Sequence, residues 1–84
     1  MEKKAAVSTK IVALDRGFVF VGTVSDEGEN IRISNARNIR RWGTTKGLGE
    51  LVDGPKPNTQ LDPVGELIAP KRAVIFQIVC SKDW

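Results

Sequence analysis

Seven side chains in one short stretch carry most of the binding chemistry this sequence offers: Arg37, Arg40, Arg41, Trp42, Thr44, Thr45 and Lys46. A guanidinium presents a fork of donors that fits phosphate or carboxylate oxygens two at a time, and an indole gives a flat face on which a base can stack. Arg37 and Arg40 are three apart and Arg37 and Arg41 four apart, spacings that bring side chains together on a helix. The run Gly43-Thr44-Thr45-Lys46-Gly47-Leu48-Gly49 then bares backbone N–H groups at a helix start. An anion is stabilised there, with Lys46 as counter-charge. The order is not the G-x-x-x-x-G-K-[ST] of a nucleotide-hydrolysing phosphate loop, and it lacks the third glycine of a dinucleotide fingerprint. The expectation is one continuous surface at these seven residues, open to an anionic ligand such as a nucleotide or nucleic acid. A protein partner fits as well, since Trp and Arg dominate protein interfaces. A purely structural alternative stays open, in which Trp42 and Leu48 plug a small core and the arginines pair with Glu50, Asp53 or a neighbouring subunit.

Catalytic chemistry is poorly provided for. The 84 residues include no histidine and a single cysteine, Cys80. Ser-His or Cys-His catalysis therefore has no imidazole base, and a structural zinc site has no ligand set. Cys80 closes an apolar strand with Lys82 as its nearest cation, which suits a buried, inert thiol. Asp15, Asp26 and Glu27 fall in turns and Asp53 at a helix end, while Asp62 and Glu66 flank a strand, where they read as solvated charges ahead of the alternative that they line a pocket. No catalytic residue, metal or cofactor is expected.

A net charge of +3 is mildly basic and fits a solvated surface better than a histone-like protein. No apolar run reaches the ~20 residues of a membrane-spanning helix, and Met1-Glu2-Lys3-Lys4 is not followed by the apolar core of a signal peptide. A cytoplasmic protein without membrane attachment is expected. So short a chain buries only about 60% of its unfolded surface. Without disulfide or zinc, oligomerisation is the remaining common route to more burial, so a homo-oligomer is expected.

The elements that position the seven residues are mostly short strands in one domain, residues 1–84. Residues 1–8 read as a flexible segment. Thr9 to Leu14 and Phe18 to Ser25 read as strands around an Asp15-Arg16-Gly17 turn. In the second strand Phe18, Phe20 and Val24 share one face and Val19, Val21 and Thr23 the other, so both faces call for cover. Gly22 marks a bulge or bend. After the Asp26-Glu27-Gly28 turn, Asn30 to Ser34 alternates as a strand. Periodicity then changes towards a helical or irregular segment ending at Trp42-Gly43. Thr44 or Thr45 suits the N-cap of a short helix over Lys46 to Val52, stopped by Asp53-Gly54-Pro55. This makes 43–54 a helical excursion and 55–64 a loop. Gly65 to Ala69 and Ala73 to Cys80 are the last strands, joined at Pro70-Lys71-Arg72. The fold class expected is mainly β: a small five-stranded barrel or roll with one short helix inserted between strands 3 and 4.

The segments GFVFVGTVSDEGENIRISNARNIRRWGTTKGLGEL, TQLDPVGEL and AVIFQIVC resemble a family of small proteins encoded by bacteriophages and prophages, in order from Lys10 to Cys80. The resemblance implies a phage origin and assigns no activity. In strand plan alone, the strand–turn–strand of GFVFVGTVS and NIRISNARNI followed by GELIAPKRAVIFQIV is similar to the Sm/Hfq barrel and its Src-homology-3-like relatives. Those proteins form rings and bind RNA or nucleotides, but the residues Sm proteins use on RNA are not matched here. Together these readings point to a non-enzymatic binding module in the host cytoplasm that sequesters a nucleotide signal or blocks a host protein. Two alternatives stand beside it: an Sm-like RNA- or DNA-binding protein, and a minor virion or assembly component.

Overall fold

Alternation and β-branching decide the architecture. The computed structural model describes residues 9–84, so the flexible segment expected at 1–8 lies outside the described residues. Five strands form one antiparallel sheet: β1 (Thr9–Leu14), β2 (Phe18–Glu27), β3 (Asn30–Arg41), β4 (Gln60–Pro70) and β5 (Val74–Val79), in the order β4-β3-β2-β1-β5. A 3-10 turn at Asp15–Gly17 joins β1 to β2, with Arg16 at φ 69 and Gly17 at φ 85. β2 and β3 form a tight hairpin in which Glu27 faces Asn30. The mainly β class and the five strands stand as expected. The sheet is not closed, however, and β4 and β5 are left at its two edges, so the architecture is an open roll rather than a barrel.

The centre of the sheet, along β1 and the first half of β2, is buried on both faces. Along β1, Ile11 and Ala13 enter one apolar cluster while Val12 and Leu14 enter the other, the two-residue period of a strand. The first cluster adds Val19, Val21, Ile39 and Cys80, and Leu48 and Leu51 cover it from the β3–β4 connection. The second gathers Phe20, Ile31, Ile33, Ala36 and Ala69. Residues of β1 and β4 can share that cluster only if the outer strands curl over it, and the curl has visible causes. The β2–β3 register shifts between Val21 and Thr23. A Cβ on Gly22, between them, would lie 2.6 Å from Ile33 Cγ2 and 2.7 Å from the Ser34 carbonyl oxygen. On β3, Asn35 takes a left-handed φ of 54 within an irregular stretch of the β3–β4 register. The expected cover for FVFV is present over Val19, Phe20 and Val21, whereas Phe18 is exposed.

Three expectations about the middle of the chain are corrected. The segment from Asn35 to Arg41 is not helical. It continues β3, because the bulge at Asn35 restores pairing and Arg37, Asn38, Ile39 and Arg41 pair with β4. The inserted helix is a 3-10 segment over Leu48–Asp53, not an α-helix over Lys46 to Val52. Its first flank is Gly47 without a side-chain cap, so neither Thr44 nor Thr45 caps it. Gly47 and Gly49 leave it with little intrinsic propensity, and the burial of Leu48 and Leu51 holds it. The loop ends early, since β4 begins at Gln60. Pro63 is accommodated because β4 is an edge, where a missing N–H costs no ladder bond.

Candidate functional site

The extension of β3 separates the arginines that a helix would have grouped. Arg37 and Ile39 share a side of the strand, and Arg40 is the extra residue of a bulge between Ile39 and Arg41. Arg37 turns to the end of the chain. Its Nη2 donates to the main-chain oxygen of Trp84, its Nε donates to the Asn35 carbonyl at 3.2 Å, and its guanidinium lies 5.4 Å from the Trp84 ring centroid. Burial lowers the Arg37 pKa below its ordinary value. Cys80, buried nearby, is pushed above the usual thiol value chiefly by burial. Arg40 donates from Nε to Asp62 Oδ2 at 2.8 Å. Arg32, at the other end of β3, binds Glu27 at 2.6 Å and Glu66 at 2.5 Å.

Arg41 is different. Among the described residues it has no ion-pair partner, and it lines an open cleft of about 660 Å³ with Gly43, Thr44, Thr45, Pro57, Asn58, Thr59 and Gln60. Two local features build the walls. Gly43 adopts φ 67, and a Cβ there would lie 2.4 Å from the Asn58 carbonyl carbon, so only glycine lets the two backbones meet. The Thr59 hydroxyl donates to the Trp42 carbonyl at 2.6 Å and accepts the Lys56 N–H at 2.9 Å. Both walls are thereby fixed beside the last β3 residue. Trp42, next in the chain after Arg41, is 41% exposed and is not the core plug of the structural alternative; of that pair only Leu48 is buried.

The anion seat expected at the amides after Gly43 is occupied by the chain itself. Glu50 accepts the Lys46 N–H at 2.5 Å and the Thr45 hydroxyl at 3.1 Å. The Lys46 ammonium forms none of the ion pairs among the described residues. Of the seven residues singled out in the sequence, the structure thus gathers Arg41, Thr44 and Thr45 in the cleft and places Trp42 and Lys46 next to it in the chain. Arg37 and Arg40 are drawn elsewhere. It also adds Asn58, Thr59 and Gln60, polar residues of PKPNTQ that carry no pattern of their own and acquire meaning only through contact with Gly43 and Arg41.

Among the described residues no three His, Cys, Asp or Glu side chains gather as a metal set, and no helix is long and apolar enough to cross a membrane. A second cleft, of about 520 Å³, lies between Lys10, Ser25, Asp26, Lys71 and Gln77, but there the Lys71 ammonium is already held by both Asp26 oxygens at 2.9 Å. No protein-family model, curated protein or solved structure matches the chain.

Proposed function

We propose that the protein is a non-enzymatic binding module whose working surface is the Arg41 cleft, and that its ligand is a small anion of the nucleotide class. One observation carries this reading. Of the four arginines on β3, Arg32, Arg37 and Arg40 have charged or π partners within the fold, and Arg41 alone keeps its guanidinium for something else, facing a polar cleft. The ligand's phosphate takes the two-pronged guanidinium contact. The side chains of Thr44, Asn58 and Gln60 supply further donors, and Trp42, the next residue in the chain after Arg41 and exposed, is the nearest residue in sequence on which a base could stack. With a single unpaired arginine the site suits one or two phosphates, not a nucleic-acid track. A phage protein, the origin that the sequence resemblance implies, requires no more than this to sequester a nucleotide signal.

Titration with nucleoside mono- and diphosphates and cyclic dinucleotides, followed by tryptophan fluorescence at several salt concentrations, tests the reading. Binding with a log–log salt slope near one or two is expected. A steeper slope with single-stranded RNA or DNA, reflecting many phosphate contacts, would favour the Sm-like nucleic-acid alternative. Absence of binding to every nucleotide in the set removes the nucleotide class.

A further inference from the structure

The two edges of the sheet are built by opposite rules. β4 carries Pro63 and Pro70, a left-handed Gly65 at φ 96 and the charged Asp62 and Glu66. Prolines, irregular backbone and charge are the devices that stop one sheet edge from docking on another. β5 reads Val74-Ile75-Phe76-Gln77-Ile78-Val79, with no proline, glycine or charge. Ile75, Phe76 and Val79 are 63%, 47% and 65% exposed. An unguarded apolar edge of this kind is a template for another strand.

The hydrogen-bond phase of β5 says which strand fits. The Cys80 N–H donates to the Thr9 carbonyl at 3.1 Å, and the register continues Lys10 to Val79, Ile11 to Ile78 and Val12 to Gln77. Bonded and non-bonded pairs alternate along an antiparallel ladder. Cys80 and Ile78 therefore turn their backbone groups to β1, and Val79 and Gln77 turn theirs to the open side. Ile75 is the extra residue of a bulge and has no Cα partner on β1, since Ala13 faces Phe76 and Leu14 faces Val74.

We infer that β5 pairs antiparallel with β5 of a second copy across a twofold axis at Gln77. This register sets Gln77 against the partner's Gln77, and Ile75 against the partner's Val79. The outward N–H and C=O groups of Gln77 then meet those of the partner's Gln77, and the two most exposed apolar side chains of the strand, Ile75 and Val79, cover each other. A slip of one residue would aim open-side groups at groups already bonded to β1. A slip of two would leave Ile75 or Val79 without a counterpart. The strand is uncharged, so no like charges pair within β5 itself, and the two facing carboxamides can each donate and accept. A head-to-tail ring or filament would instead have to use the guarded β4 edge. The pairing is independent of the Arg41 cleft, whose lining includes no β5 residue.

Cysteine cross-linking with sedimentation tests the inference on the full chain. In a bonded antiparallel pair the Cα atoms are about 5.5 Å apart, inside the roughly 4.4–6.8 Å that a disulfide spans. Two Val79 residues related by the same axis are about 14 Å apart at ~3.4 Å per residue. Mild oxidation of Gln77→Cys should give at least tenfold more disulfide-linked dimer than Val79→Cys. The unaltered protein should sediment at micromolar concentration with twice the 9.2 kDa chain mass. Gln77→Pro removes an N–H that serves only the open side and should reduce that mass to one chain. If Gln77→Pro fails to fold, the cysteine pair still decides. A 9.2 kDa species at every concentration, an assembly larger than two chains, or equal cross-linking of the two cysteine variants overturns the inference.

Discussion

The two ends of β3 carry similar residues and serve opposite ends. At the hairpin end, Arg32 bridges Glu27 on β2 and Glu66 on β4, and Lys71 ties the β4–β5 turn to Asp26 while its N–H donates to the Glu29 carbonyl at 2.9 Å. Charge is neutralised there, and the strands are sewn across. At the far end Arg41 has no carboxylate partner among the described residues, and the chain opens into a cleft closed by backbone contact between Gly43 and Asn58. On the proposed reading the binding arginine of β3 is the one that the fold leaves without a partner. The density of arginines in the sequence does not identify it.

Perturbing the support of the open end should have the largest effect. Leu51 is fully buried under the first cluster and anchors a 3-10 segment of low propensity. Leu51→Ala should cost about 2–5 kcal/mol in urea unfolding and abolish ligand binding with it. Gly43→Ala should follow, at roughly 1–3 kcal/mol for a strained left-handed alanine pressed on Asn58. Its mark is a cleft that binds poorly at temperatures where the protein remains folded by circular dichroism. Arg37→Ala should cost about 1 kcal/mol through the lost hydrogen bonds and leave ligand affinity within twofold. A large affinity loss would mean that Arg37 belongs to the site and the contrast between arginines is drawn in the wrong place.

The smallest effect belongs to the sewn end. Lys71 and Arg32 hold the carboxyls of Asp26 and Glu27 below their ordinary values. The folded state therefore takes up these protons less readily than the unfolded chain. The contribution is fully present above the unfolded carboxyl values of about 4 and is lost as pH falls through the lower folded-state values. Thermal melts from pH 7 to pH 3 should show a smaller acid loss for Asp26→Asn than for the unaltered chain. Equal losses would show that the hairpin pairs are too solvated to matter.

The strands were largely legible in the sequence because alternation and turn chemistry are local. Thr9 to Leu14, the Gly22 bulge and the turn at Gly17 all follow from residues within a few positions. The end of β3 was not legible. Asn35 in a left-handed conformation shifts the alternation, and the shifted pattern imitates a helical spacing at Arg37, Arg40 and Arg41. The fate of Arg37 and of Arg40 then depends on partners far along the chain, Trp84 and Asp62, which no local pattern announces. The same holds for Glu50, which takes the Lys46 amide and the Thr45 hydroxyl of the glycine-rich run.

Arg40 and Arg41 are neighbours of identical chemistry that differ in having Asp62 as a partner, and they make the most direct test. Tryptophan fluorescence titration with the tightest nucleotide of the set should show affinity reduced at least tenfold, about 1.4 kcal/mol, for Arg41→Ala. Arg40→Ala should bind within twofold of the unaltered protein, and both variants should keep its melting temperature. Equal affinities for the two variants, or a loss confined to Arg40→Ala, would contradict the assignment of the site to Arg41.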